Sequence, residues 1–80
     1  MKAYEAVAQR ILDLCAERNI TVNAIANISG LPSSTVKSII YGISKNPGIS
    51  TIKALCDGFE ISLNDFFNDE IFDELDQEIE

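Results

Sequence analysis

The chain has 80 residues, 46% of them apolar and 24% charged. That suffices for one domain whose core removes roughly 60% of the unfolded surface from water, and excludes a second domain or a deep substrate cavity. The net charge of −7 argues against a nucleic-acid partner only until its distribution is read: residues 1–56 carry six basic and three acidic residues, whereas residues 57–80 carry ten acidic residues and no basic one.

The apolar pattern predicts short helices separated by turns, with no segment of clean strand alternation. Tyr4, Val7, Ala8, Ile11, Leu14 and Cys15 recur at the spacing of an amphipathic helix, and Asn19 suits a left-handed stop. Thr21 can cap a second helix that buries Val22, Ile25 and Ala26 and ends at Gly30. Leu31 enters the core, and Pro32 stands at or just before the start of a third helix. That helix has Val36 and Ile39 on its inner side, with Ile40 open to either side, and ends at Gly42. Ile43–Gly48 (ISKNPG) reads as a loop. Ser50 is the expected cap of a fourth helix that buries Ile52, Leu55, Cys56 and Phe59. Ser62 opens a fifth, with Ile61 and Phe66 placed as a hydrophobic staple. Ile71, Leu75 and Ile79 are spaced four apart, which predicts a final acidic amphipathic helix, frayed at its end. The fold class is therefore all-α: five helices and an acidic C-terminal helix or tail.

Several functions are excluded on chemistry. With no histidine, the commonest general base and metal ligand is missing. Cys15 and Cys56 form no CxxC pattern; two cysteines could pair as a disulfide, but their apolar helical positions favour buried, reduced thiols. No phosphate loop, zinc spacing or catalytic triad is present. We therefore expect no enzyme, metal, cofactor or small-molecule ligand. No apolar run approaches the ~20 residues of a membrane span, and MKAYEAVAQR is unlike a signal peptide. The expectation is a soluble, cytoplasmic protein without a membrane partner.

The informative stretch is TVNAIANISGLPSSTVKSIIYG, two short helices at about residues 21–41 joined by Ser29-Gly30-Leu31-Pro32. It resembles the Cro/repressor-type, or lambda-repressor-like, helix-turn-helix family, also known as the xenobiotic-response-element family. Ala26 matches the small residue at the helix crossing, Gly30 the turn, Val36 and Ile39 the core of the recognition helix, and Gly42 its end. SKNPGISTIKALCDGFEISLNDFF looks like the family's fourth and fifth helices, so the likeness spans roughly residues 7–67. The chain departs from the pattern at Val22, where the family often has a phosphate-touching Gln, and at Pro32, where it usually has Ser or Thr. It departs again at Glu60, where glycine is favoured, and this predicts a non-glycine residue at positive φ.

The resemblance implies a DNA-binding domain over residues 1–68, followed by an acidic tail over 69–80. It implies sequence-specific binding to double-stranded DNA by a small bacterial or phage transcriptional regulator, expected to be a repressor and to act as a dimer. In that geometry the start of the third helix enters the major groove, so Ser33, Ser34, Lys37 and Ser38 become the base-reading candidates. Thr21, Thr35, Tyr41, Lys45 and Asn46 become the phosphate-contacting candidates. The plainer alternative is that Ser33, Ser34 and Thr35 only satisfy backbone N–H groups at a helix start. Arg10 and Lys53 read as ordinary surface charges, and Ile40 and Ile43 as exposed apolar docking candidates. The tail is open to three readings: a solvated face; a homodimer face built from Phe67, Ile71, Phe72, Leu75 and Ile79; or a surface for a protein partner such as a toxin or a recombination protein. The competing function is a protein-interaction module, antitoxin-like or anti-repressor-like, that keeps the fold without reading DNA.

Overall fold

The computed structural model describes residues 1–79, and Glu80 of the predicted tail lies outside them. Five helices follow one another: α1 (Ala3–Glu17), α2 (Val22–Ile28), α3 (Ser33–Ile40), α4 (Ile49–Phe59) and α5 (Leu63–Phe67). Among the described residues there is no strand. The periodic apolar positions meet in one core. Ile11, Ile25, Val36, Leu55 and Phe66 are each fully enclosed, and each of the five helices supplies one of them. Burying an aliphatic or aromatic side chain of this size contributes about 1.5–3 kcal/mol. Cys15 and Cys56 are buried and free. Desolvation raises both thiols above their ordinary pKa, which suppresses the reactive thiolate.

One device ends four of the helices. A residue in the left-handed region turns the chain, and the next N–H bonds back to a carbonyl five residues earlier. The pairs are Ile20 to Cys15 at 3.0 Å, and Leu31 to Ala26, Ile43 to Ser38 and Ile61 to Cys56, each at 2.9 Å. Glycine supplies the turn at Gly30 (φ 71°) and Gly42 (φ 75°), but Asn19 (φ 52°) and Glu60 (φ 60°) carry side chains there. Of the four residues that follow the turn, Ile20, Leu31 and Ile61 pack on the core, while Ile43 remains 75% exposed. Asparagine tolerates this region better than most residues, and glutamate bears the full steric cost of about 1–2 kcal/mol. Glu60→Gly should therefore stabilise the fold by about 0.5–1 kcal/mol, after subtraction of the entropy glycine adds to the unfolded chain. Urea unfolding measures the gain, and an unchanged midpoint would remove the strain argument.

The crossing of α2 and α4 depends on Gly58. A Cβ there would lie 2.1 Å from Ser29 Oγ and 3.2 Å from Ile25 Cδ1. The same close approach encloses the Ser29 hydroxyl without a hydrogen-bond partner, a cost accepted for bringing the two backbones together.

Four expectations are corrected. The fourth helix begins at Ile49 with Gly48 as its cap, so Ser50 lies inside the first turn; the extended Gly48 directly after Pro47 lets the helix start two residues earlier. The C-terminal amphipathic helix does not form. Among the described residues, only a single 3-10 turn, Glu70–Phe72, follows α5. A segment of crowded carboxylates with no basic residue gains no i,i+4 pairing and repels itself. The tail instead folds back along α1, where Asp76 N–H donates to the Met1 carbonyl at 3.0 Å; the 3-10 turn is capped by the Asp69 side chain, which accepts from Ile71 N–H at 3.0 Å. Ile40 is partly buried against the core rather than exposed.

Arg10 is the fourth correction. Its side chain is only 11% exposed. Nε donates to the Phe66 carbonyl at 2.7 Å and Nη2 to the Asp65 carbonyl at 2.9 Å. Nη1 reaches Asp69 at 3.5 Å, and the guanidinium lies 5.9 Å from the centre of the Phe66 ring. It binds α1 to the end of α5. Lys53, in contrast, is an exposed partner of Asp57 one turn along α4.

Candidate nucleic-acid interface

The interface is built on α2 and α3. Thr21 starts α2 by accepting the Ala24 N–H at 3.1 Å, which places its side chain at the exposed entry to the motif. Ala26 is fully buried, and its small size lets α2 and α3 approach closely. Gly30 then reverses the chain, and Pro32 (φ −60°, ψ 137°) enters α3 in the extended conformation. Val36 and Ile39 hold the inner side of α3 in the core. The opposite side presents a row of polar residues, all small but Lys37.

On that row Ser34 is exposed, and Ser33, Thr35, Lys37 and Ser38 are half-buried. Among the described residues, none of their side chains hydrogen-bonds another group of the protein. The hydroxyls are thus not consumed in capping their own helix. Serine can donate to or accept from any base edge. The N-terminal turn of α3 adds unsatisfied N–H groups and partial positive charge.

The second part of the candidate surface is the segment after α3. Tyr41 is 72% exposed, and Lys45 and Asn46 stand out from the loop. Gly42 is in van der Waals contact range of Tyr4 from α1: a Cβ at Gly42 would lie 3.8 Å from the Tyr4 ring edge. Lys45 Nζ stands 5.8 Å from the centre of the same ring. Tyr4, Tyr41 and Lys45 share an open groove of about 480 Å³ between α1 and the end of α3. A neighbouring cleft brings Glu78 of the tail to the same loop, beside Lys45 and Asn46.

The proposed dimer residues are divided by the fold. Ile71, Phe72 and Leu75 are half-buried against their own chain, while Phe67 and Ile79 remain exposed. Phe67 and Phe72 meet edge to face with ring centres 5.0 Å apart. Among the described residues, no group of three or more metal-ligating side chains comes together, and no helix is long and apolar enough to cross a membrane.

Tyr4 was missed as a contributor to this region, and Arg10 as the residue that joins α1 to the end of α5. For Arg10 a signal existed: it falls three residues after Val7 and four before Leu14, on the apolar stripe of α1. A charge on a buried stripe needs a partner. Tyr4 carried no comparable signal, because an aromatic at a stripe position reads simply as core.

The sequence matches the Cro/C1-type HTH DNA-binding domain over residues 10–70. The structure is similar to the crystal structure of the prophage Lp1 protein 11, with a TM-score of 0.81 and 37% sequence identity; the likeness covers 94% of this chain and 100% of that one. No curated protein matches the sequence.

Proposed function

We propose that this chain, which belongs to the Cro/C1-type helix-turn-helix DNA-binding family, reads a specific sequence of double-stranded DNA and acts as a repressor of phage or bacterial origin. The observation that carries this reading is the row of uncommitted polar side chains on the outer side of α3. In the family's docking geometry the start of α3 enters the major groove. Ser33, Ser34, Lys37 and Ser38 then face base edges, and Thr21, Thr35, Tyr41, Lys45 and Asn46 face phosphates. Serines make single, permissive hydrogen bonds, so part of the specificity comes from water and DNA shape. Two copies on a pseudo-palindromic site would double the contact and supply the selectivity one small reading head lacks. A solved structure from a prophage, similar over nearly the whole chain, supports the phage assignment.

The test is binding to fragments of the source genome at low and moderate salt, followed by substitution. Lys45→Ala should weaken binding equally on specific and random DNA and lower the salt slope by about one unit. Ser34→Ala and Ser38→Ala should leave random-DNA binding unchanged and cost roughly 1 kcal/mol on the selected site. For Lys37→Ala, a lower salt slope assigns the side chain to a phosphate, and an unchanged slope with relaxed sequence preference assigns it to guanine. If folded protein binds no fragment in a salt-dependent way, the chain is a protein-interaction module instead.

A further inference from the structure

We infer that Tyr4 is a positioning residue for DNA binding: its ring is the platform that holds the Lys45 ammonium in place for a phosphate. The inference rests on the DNA-binding reading above and adds a residue from α1, outside the helix-turn-helix motif. Three observations converge on it. The Lys45 ammonium stands 5.8 Å from the centre of the Tyr4 ring, within reach of a cation–π attraction. The same ring lies beside Gly42, the residue that turns the chain out of α3. Glu78 shares the cleft of Lys45, but among the described residues no carboxylate forms an ion pair with it, so the ammonium's contact is with the ring.

The physical reason is entropic. A lysine on a flexible stem loses rotamer freedom on meeting a phosphate. Holding the ammonium over a fixed aromatic ring removes part of that loss beforehand. The ring itself is anchored, because Tyr4 is half-buried on α1, and α1 is fixed in the core by Val7 and Ile11. Its face, rather than its hydroxyl, does the positioning. Tyr4→Phe must therefore retain the effect and Tyr4→Leu must lose it, although leucine also preserves apolar packing.

The experiment has two arms. In the free protein, nuclear magnetic resonance should show the Lys45 ε-methylene protons shifted by the aromatic ring current, in the wild type and in Tyr4→Phe but not in Tyr4→Leu. On random-sequence duplex DNA, Tyr4→Leu should weaken binding roughly two- to fivefold, and Tyr4→Phe should bind as the wild type does. In a Lys45→Ala background, Tyr4→Leu should have no further effect. A Tyr4→Leu loss of equal size with and without Lys45 would show a merely structural role and overturn the proposal. So would an absent ring-current shift in the wild type. If the shift is present but Lys45→Ala leaves DNA binding unaltered, the phosphate assignment of Lys45 fails, and the role of Tyr4 in DNA binding fails with it.

Discussion

Replacement of the largely buried Arg10 by methionine should destabilise the protein by about 2–4 kcal/mol. Helix α5 has only five residues, so its last carbonyls are poorly satisfied within the helix: that of Asp65 accepts only a long bond of 3.3 Å from the capping Asn68 N–H. Arg10 satisfies those of Asp65 and Phe66 with two charge-assisted bonds of 2.9 and 2.7 Å. Each such bond contributes about 1.5–3 kcal/mol, and partial rehydration of the freed carbonyls offsets some of the loss. Methionine keeps much of the volume and removes the donors. Arg10→Lys should recover only part of the stability, since a single ammonium lacks the planar fork that spans both carbonyls and Asp69. Urea unfolding of the three proteins decides the matter. A loss below about 0.5 kcal/mol for Arg10→Met, the range usual for surface substitutions, would mean that water replaces the guanidinium and that α5 is held by Phe66 alone.

Truncation after Asn68 should have two separable consequences. The first is loss of stability, because Ile71, Phe72 and Leu75 pack half-buried on the chain. At roughly half the value of full burial their removal costs about 2–4 kcal/mol. The second is tighter binding to random DNA, because the deleted segment is acidic throughout and Glu78 shares a cleft with Lys45 and Asn46. The quadruple variant Asp73→Asn, Glu74→Gln, Asp76→Asn and Glu78→Gln separates the two. It removes charge while leaving the apolar contacts and the bond from Asp76 N–H to Met1 in place. Stability should change little, and random-DNA affinity should rise about fivefold at low salt, as expected for a few carboxylates roughly 10 Å from phosphates. The gain should vanish at high salt. Unchanged affinity at low salt would mean that the tail's charge does not reach the DNA. Sedimentation of the truncated and full chains bears on the proposed dimer: with Ile71, Phe72 and Leu75 turned inward, only Phe67 and Ile79 are left to pair across a two-fold axis.

The helices, their order and most of their ends were legible in the sequence, because each depends on residues close together in the chain. The 3.6-residue recurrence of Val7, Ile11 and Leu14, or of Ile52, Leu55 and Phe59, selects the buried side of a helix wherever the helix is placed. The caps at Thr21 and Ser62 and the turns at Asn19, Gly30, Gly42 and Glu60 are local devices within a few residues. The polar row of α3 was legible for the same reason, being what remains when Val36 and Ile39 face inward. Contacts between distant segments were not legible. Arg10 finds its partners in α5, Lys45 finds the ring of Tyr4, and the tail lies along α1, none of which any local pattern encodes. The tail shows the limit most clearly: its spacing of Ile71, Leu75 and Ile79 satisfies a helix, yet the chain breaks after Phe72. Burying Ile71 and Phe72 on the existing body and separating like charges outweighs the hydrogen bonds of an isolated acidic helix, and that balance is settled only once the core provides a surface to fold against.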